Sequence, residues 1–420
     1  MNLPVVVQRH STAHRALQAL GLLALVAFFL YVVGVAPNFS ALRWSIGLTI
    51  VIAIQGLNIV TGYSGQISVG HSAFFGVGAY TTMILVADHG WPFLATLPVA
   101  GALGFVIGLV LGVPALRIRG LYLALITLGL ALAFPAIVKS DNFFGIDFAA
   151  LTGGSNGMSI TGGDVTSVEG FRWAPPSWAP NGWSTNDWVF TTLFVITIVF
   201  FVLTSNLVRS RVGRGLVAMR DNETGAAVSG VYPAQYKVLA FATSALVTAV
   251  GGGCFALAAT TIGPDTFGLQ RSIEFIAGLV IGGVATILGP AIGGMLVDWL
   301  PHLSLEGEFQ FSDSTSWSIP FLPTLEGPEA TILYGLLLVL IIFFMPGGIV
   351  YGLRLLRSKF LLIVPLLPAP SESISPVAAP VPEAPAEGRE VMSTPTSPLD
   401  QSTVLTSTPV HQPQGEVHDQ

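Results

Sequence analysis

Nine stretches of this chain are apolar for long enough to cross a lipid bilayer, and they constrain its fold more than any other feature. Crossing the hydrocarbon core takes about 20 helical residues. Lipid offers no hydrogen-bonding partner, so a crossing segment must be an α-helix or a strand of a closed barrel, and runs of this length fit helices. The sequence therefore predicts an all-α polytopic membrane helical bundle. The nine windows are residues 16–35, 43–61, 66–87, 92–114, 120–138, 188–206, 237–259, 272–297 and 330–350.

The composition agrees with a membrane protein and excludes several other classes. Hydrophobic residues make up 52% of the 420 residues and charged residues 10%, against about a quarter charged in soluble domains. The single cysteine, Cys254, excludes an intrachain disulfide and a cysteine metal cluster. No Gly-Lys dipeptide occurs, so the chain cannot form a nucleotide-binding P-loop. Since a basic patch for nucleic acid is also missing, we expect a non-enzymatic membrane protein with no cofactor, metal or nucleic-acid partner.

The distribution of Lys and Arg orients the predicted helices, because cytoplasmic loops are enriched in both. Arg9 and Arg15 place the N-terminus inside, and a cluster of arginines from Arg209 to Arg220 places the following loop inside as well. Two long loops hold few basic residues or none and are expected outside. The predicted segments are a cytoplasmic N-terminus (1–15), a membrane domain (16–353), a cytoplasmic loop (207–237), outer loops (139–187 and 298–329) and a cytoplasmic tail (366–420).

Nine simple crossings do not satisfy this orientation. Loop 298–329 contains six acidic residues and no Lys or Arg, yet Arg354 and Arg357 follow the next apolar window and should lie inside. The segment 278–296 is interrupted by Gly-Gly pairs and by Gly289-Pro290, which disfavour a continuous helix. A bundle of about 8–10 transmembrane helices would satisfy the orientation of these loops. We favour a re-entrant or half-length helix near 272–283.

The C-terminal segment 366–420 differs in composition from the rest of the chain. It is rich in Pro, Ala, Ser and Glu, and from Leu366 onward it holds seven acidic residues and one arginine. Such a segment cannot bury enough apolar surface to offset its chain entropy, so we expect it to be disordered. It is either a solvated tail without an essential role or a docking element.

The apolar stretch between Gln55 and Met83 also contains many polar and small residues. Six glycines there permit close helix packing, and hydrogen-bonding side chains occur where an unpaired polar group is costly. Polar residues at membrane depth are typical of a bundle interior or a water-filled path. Helix packing alone is the alternative explanation. The candidate residues for a translocation path are Gln55, Asn58, Gln66, Ser68 and His71.

The predicted cytoplasmic loop 207–237 alternates charged and apolar residues. This pattern is typical of a short amphipathic helix, here expected over 214–228, that lies across the membrane surface and docks a soluble partner. An ordinary positive-inside loop is the alternative. The candidate coupling residues are Arg214, Arg220, Asp221, Glu223 and Gly230.

Four separated blocks together resemble the permease subunit of branched-chain amino-acid ABC importers. They are GLNIVTGYSGQISVGHSAFFGVGAY, RGLYLALITLGLA, RGLVAMRDNETGAAVSGVYPAQYKVLAF and LYGLLLVLIIFFMPGGIVYGL, which occur in order within residues 43–353. The resemblance implies a multi-pass protein of the bacterial plasma (inner) membrane. It also implies a second, paralogous permease subunit, two cytoplasmic ATP-binding subunits and an extracytoplasmic solute-binding protein.

The resemblance implies ATP-driven import of leucine, isoleucine and valine, with ATP hydrolysed on the partner subunits. It places the loop from Arg214 to Gly230 against the ATPase. Two alternatives stay open from the sequence. The same type of permease could carry urea, short amides or another small polar solute, and an ATP-independent channel or carrier is a further possibility.

Overall fold

A computed structural model describes most of the membrane domain. The described residues are 5–8, 12–34, 38–114, 121–143, 145–159, 173, 175–180, 182–306, 308–312, 315–318, 335–336, 339–340, 343–344 and 347–364. The predicted tail 366–420 lies outside these residues, as does much of the predicted outer loop 298–329.

The described residues contain thirteen α-helices. They are α1 Thr12–Gly34, α2 Asn38–Leu57, α3 His71–Ala87, α4 Phe93–Gly112, α5 Leu121–Val138, α6 Phe148–Thr152, α7 Thr185–Arg209, α8 Arg211–Asp221, α9 Glu223–Val228, α10 Pro233–Ala259, α11 Leu269–Gly282, α12 Gly289–Glu306 and α13 Gly348–Phe360. A π-helix, Asn58–Tyr63, continues α2, and 3₁₀ turns cover Gly154–Asn156 and Pro264–Phe267.

Three short two-stranded pairings accompany the helices. Strand β1 (Val5–Gln8) pairs in parallel with β6 (Leu361–Val364), β2 (Met158–Ser159) pairs antiparallel with β3 (Thr261–Ile262), and β4 (Glu308–Ser312) pairs antiparallel with β5 (Thr315–Ser318). None of these strands is long enough to cross a bilayer, so the crossing segments are helices, as the sequence predicts.

Helix length and hydropathy confirm a multi-pass membrane bundle. Among the described residues, four helical segments are long and apolar enough to cross a membrane: Ala41–Tyr63, Phe93–Gly112, Thr185–Arg209 and Pro233–Ala259. Shorter apolar helices cover Leu23–Gly34, His71–Ala87 and Tyr122–Val138. The prediction of an all-α polytopic membrane protein is confirmed.

Helix α10 is the centre of the bundle and packs against α2, α3 and α4. Small residues line these contacts: a Cβ added at Gly252 would fall on the carbonyl oxygen of Phe75 in α3, and one at Gly104 in α4 would lie 2.8 Å from the carbonyl oxygen of Ala245. Lipid provides no hydrophobic drive for helix association, so close backbone packing between small residues holds such a bundle together. Cys254 lies in this core and is fully buried.

Helix α3 begins at His71, five residues later than the predicted window 66–87. The chain leaves the π-helix with Gly65 in the left-handed region (φ 75°) and has no regular helix before His71. The backbone N–H of Val69 donates to the Thr127 hydroxyl of α5 at 2.9 Å. The expectation of a helix from residue 66 is wrong, because in this segment the Val69 N–H is satisfied by a side chain of α5 and not by a helical carbonyl.

Helices α11 and α12 form the interrupted element that the glycine breaks predict. Helix α11 has 14 residues and ends at Gly282, which agrees with a half-length helix. Gly283 adopts φ 119°, and the Thr286 hydroxyl accepts the backbone N–H of Gly289 at 3.0 Å to start α12. Helix α12 continues to Glu306, so the expectation that the window ends at residue 297 and a loop starts at 298 is wrong.

Candidate functional site

His71 lies at the centre of a buried hydrogen-bond chain. Its Nδ1 lies 2.9 Å from the Ser68 hydroxyl and its Nε2 lies 2.6 Å from the Ser244 hydroxyl of α10. The Ser244 hydroxyl donates to the Gly56 carbonyl at 2.7 Å. Because that hydroxyl has one proton to give, it accepts from Nε2–H, and Nδ1 of the neutral ring accepts from Ser68. This chain of hydrogen bonds therefore fixes the extended segment before α3 to α10 and α2, and each donated proton in it has one acceptor.

Asn58 joins the π-helix to the turn between α11 and α12. Its Nδ2 donates to the Thr286 carbonyl at 2.8 Å, and its Oδ1 accepts the backbone N–H of Ala285 at 2.9 Å. The side chain is 1% exposed. The two amide atoms supply hydrogen-bond partners that the backbone of this turn would otherwise lack. Asn58 therefore holds the α11–α12 element against α2.

Gln55 is buried to the same degree but its hydrogen-bonding capacity is unused. It is 1% exposed, and neither Nε2 nor Oε1 has a hydrogen-bond partner. Val51, four positions before Gln55, contacts Gly294 of α12, and Asn58, three positions after it, contacts the α11–α12 turn. Residues three and four positions apart share one face of a helix, so Gln55 faces the α11–α12 element as well. Gln66 donates to the Ser64 hydroxyl, while its Oε1 is also unpartnered. Both amides therefore hold hydrogen-bonding capacity that the packed bundle does not use.

The predicted amphipathic helix 214–228 is two helices, not one. Asn222 takes an extended conformation (φ −156°, ψ 104°) between α8 and α9, and its side chain accepts the backbone N–H of Gly225 at 2.9 Å. At the other end, Ser210 caps α8 by accepting the N–H of Gly213 at 3.3 Å. The continuous-helix expectation is wrong because an asparagine whose side chain caps the next helix ends the previous one.

Arg220 brings the two candidate regions into contact. Its Nη1 donates to the carbonyl of Gly62 in the π-helix at 3.1 Å, while Nε and Nη2 donate to Asp221 at 3.0 and 2.9 Å. Gly65 packs against the Arg220 side chain. The π-helix therefore touches α8 at Gly62 and the α11–α12 turn at Asn58.

The other candidate coupling residues have different surroundings. Glu223 forms an ion pair with Lys237 of α10 at 2.6 Å, and Arg214 donates to the Arg209 carbonyl at 2.8 Å. Gly230 is exposed with φ 86°, a backbone conformation that glycine adopts without strain. The Glu223–Lys237 pair thus fixes α9 to the central helix.

Helix α9 and the turn after it present an exposed, largely uncharged surface at this end of the bundle. Val228 is 86% exposed and Tyr232 is 69% exposed, and Ala227 is exposed beside them, whereas Ala226 is buried. A surface of this kind, on a unit fixed to the bundle by Arg220 and Lys237, is suited to contact another protein.

Sequence reasoning missed the partners that complete these contacts. Ser244 and Thr127 were read only as parts of apolar windows, and Lys237 only as the end of a loop. Asp298 was placed in a loop but lies within α12, with a buried carboxylate oxygen that has no hydrogen-bond partner. For Ser244 and Thr127, a polar residue within an otherwise apolar window was the available signal. Among the described residues, no cluster of His, Cys, Asp and Glu could hold a metal ion.

Arg271 and Glu274 form a local pair on α11. Their side chains form an ion pair at 2.9 Å at i, i+3 spacing. Asp88 directly follows α3, and Asp265 pairs with Lys139 at 2.7 Å. Arg271, Glu274 and Asp265 thus have ion-pair partners.

Comparison with known proteins places the chain in a family. Residues 38–345 match the model of the branched-chain amino acid transport system / permease component. The high-affinity branched-chain amino acid transport system permease protein LivM of Salmonella typhimurium and that of Escherichia coli K12 are each 30% identical over 284 residues, 64% of this chain. The chain spans 65% of the length of these two relatives.

A second kind of relative is more distant. The permease protein LivH of Escherichia coli K12 is 23% identical over 278 residues, which is 62% of this chain and 83% of LivH. No solved structure matches the chain. The family model covers well over half of the sequence and includes α2 to α12, the π-helix and the α8–α9 unit. The chain belongs to the branched-chain amino acid transport system permease family.

Proposed function

We propose that this chain is the membrane-spanning permease subunit of an ATP-driven importer that translocates branched-chain amino acids. An extracytoplasmic binding protein would deliver leucine, isoleucine or valine, and two cytoplasmic ATP-binding subunits would supply the energy. The family assignment and the similarity to LivM, a permease protein of branched-chain amino acid transport, support this cargo. The chain itself would carry no ATPase site.

The observation that carries the proposal is the contact between Arg220 and the Gly62 carbonyl. Closure of the ATP-binding subunits would move the α8–α9 unit, and this contact would pass the movement to the π-helix. Asn58 would then displace the α11–α12 element, exposing Gln55, Gln66, Ser68 and His71 to the solute. Because a binding protein would set specificity, these groups need only lower the barrier for a zwitterion, not bind it tightly.

A paralogous permease subunit would complete the path. The chain is similar to both LivM and LivH, which are named as permease proteins of one kind of transport system. We place the complex in the bacterial inner membrane, with α8 and α9 on the cytoplasmic side, in agreement with the arginines of this segment.

The test is ATP-driven uptake of labelled leucine into proteoliposomes that contain the assembled complex. Arg220→Gln should reduce uptake at least tenfold while leaving the complex assembled, because the side chain would no longer reach both Gly62 and Asp221. Its cost to the stability of the fold should be about 1 kcal/mol, the value of a hydrogen bond. Arg211→Gln changes an exposed arginine on the same helix and serves as the matched control.

Three outcomes would count against parts of the proposal. Normal uptake by Arg220→Gln would refute the role of the Gly62 contact. A complex that hydrolyses ATP but ignores leucine, isoleucine and valine would move the cargo to urea, an amide or another small polar solute. Solute flux through this chain without any ATPase would replace the importer with a channel or carrier.

A further inference from the structure

A groove beside α7 has a cationic end and an apolar end. It consists of two adjoining cavities, of about 450 and 540 Å³, that share Ser205, Arg209, Ile287 and Leu288. Both volumes lie within the range of about 300–1,000 Å³ typical of ligand sites. The first cavity reaches Arg354 of α13, and the second runs along α7 to Ile198.

Two arginines form the cationic end. Arg209 is the last residue of α7 and Arg354 lies on α13, and both are exposed. In the part of the chain that the structure describes, no ion pair involves either guanidinium. The stretches of sequence next to the two arginines, residues 188–220, 275–297 and 330–364, contain no Asp or Glu. The two positive charges therefore have no acidic counterpart within these stretches.

The apolar end follows α7 into the membrane. Ile198, Phe201 and Val202 line it, together with Leu25 of α1 and Ala291 of α12. Ile198 and Arg209 are eleven positions apart, which corresponds to about 16 Å of helix. Since α7 is one of the helices apolar enough to cross a membrane, this limb of the groove lies at the depth of lipid chains.

Helix α13 fixes the level of the cationic end relative to the bilayer. Val350 is buried beside Gly283, and Ile349 packs against apolar residues of α11 and α12, while Tyr351 and Leu355 are exposed. The sequence of α13 combines these apolar residues with Arg354, Arg357 and Lys359. A short basic amphipathic helix of this kind lies in the membrane interface, where anionic headgroups are found.

We propose that this groove binds an anionic phospholipid. The headgroup phosphate lies between Arg209 and Arg354 within reach of the Ser205 hydroxyl, and one acyl chain lies along α7. Charge complementarity selects an anionic over a zwitterionic lipid, and the apolar limb selects a lipid over a free phosphate. The proposal does not depend on what the protein transports.

The test is native mass spectrometry of the delipidated full-length protein offered equal amounts of phosphatidylglycerol and phosphatidylethanolamine with the same acyl chains. The wild type should retain phosphatidylglycerol preferentially. Each interfacial arginine contributes roughly fivefold in affinity for an anionic lipid, so Arg209→Gln combined with Arg354→Gln should weaken retention about 30-fold. Arg211→Gln, which removes an exposed arginine outside the groove lining, should leave retention unchanged.

A second variant tests the apolar limb. Ala291→Phe keeps both arginines and fills the space beside α7, so it should also reduce retention, and a thermal melt checks that it is folded. Soluble glycerophosphate should not displace the lipid. Equal retention of the two lipids, unchanged retention by the double arginine variant, or complete displacement by glycerophosphate would each overturn the proposal. So would a second permease subunit that cross-links to Val202→Cys and excludes the lipid.

Discussion

The two long spans at the centre of the bundle are less hydrophobic than the two at its edge. Mean hydropathy is 1.7 for Ala41–Tyr63 and 1.8 for α10, where 89% and 78% of the span is buried. For α4 and α7 it is 2.3 and 2.2, and only 33% and 28% is buried. Hydropathy therefore identifies the helices that face lipid, and a different property identifies the interior.

The interior helices are distinguished by their small residues and small polar side chains. Helix α10 contains eight alanines and three glycines, whereas α7 contains neither residue type. Because lipid chains are as apolar as leucine, burying a leucine inside the bundle gains little, while small residues let backbones and hydroxyl groups meet. Three pairs of substitutions can break or sharpen this contrast between the centre and the edge of the bundle.

The largest effect is expected for Gly252→Leu in α10. A Cβ at this position would meet the Phe75 carbonyl oxygen, so α3 and α10 would have to separate, at a cost of about 3 kcal/mol or more. Gly129→Leu in α5 is the control, because a Cβ there has no atom within 4 Å. Thermal melting of the detergent-solubilised protein checks both variants. Equal midpoints for the two would contradict close packing at the centre.

An intermediate effect is expected for Asn58→Leu. It leaves the Ala285 N–H and Thr286 carbonyl without their buried partner, which costs about 2 kcal/mol. Gln55→Leu, one turn earlier, removes no hydrogen bond and should leave the melting temperature unchanged or raise it. If Gln55 contacts the solute, uptake should fall in this stable variant. A melting temperature lowered as far by Gln55→Leu as by Asn58→Leu would show that the Gln55 amide is paired.

The smallest effect is expected at the edge of the bundle. Leu203 on α7 is 55% exposed, so Leu203→Ala exchanges contacts with lipid and should change stability by less than about 0.5 kcal/mol. Leu257→Ala in α10, where the side chain is 3% exposed, should cost about 2–5 kcal/mol by leaving a cavity. Similar melting temperatures for the two alanine variants would remove the distinction between centre and edge.

The sequence predicts the helices well where apolar length decides the structure. The window 120–138 corresponds to α5 Leu121–Val138, and the glycine breaks within 272–297 correspond to the end of α11 and the start of α12. Boundaries are wrong where side chains replace backbone hydrogen bonds, as in the extended segment before His71 and at Asn222. In the extended segment, the Val69 N–H finds its partner at Thr127 in another helix, and no local pattern encodes such a bond.

Only part of the candidate site could be predicted from the sequence. Polar residues at membrane depth marked Asn58 and His71, and alternating charge marked Arg220, but nothing in the sequence indicated that these residues surround the π-helix. Spacing along a chain says which residues share a helix face, whereas the contact of Arg220 with Gly62 depends on how α8 folds back onto α2.

The position of Gly62 has a consequence for building hybrid transporters. A Cβ there would meet both the Asn58 amide and the backbone of Ala285, while its carbonyl accepts from Arg220. Three sequence-distant segments, 58–65, 211–228 and 283–288, are therefore fitted to one another around one residue. A chimera that exchanges only the α8–α9 unit to recruit a foreign ATPase would combine mismatched surfaces, and all three segments have to be transplanted together.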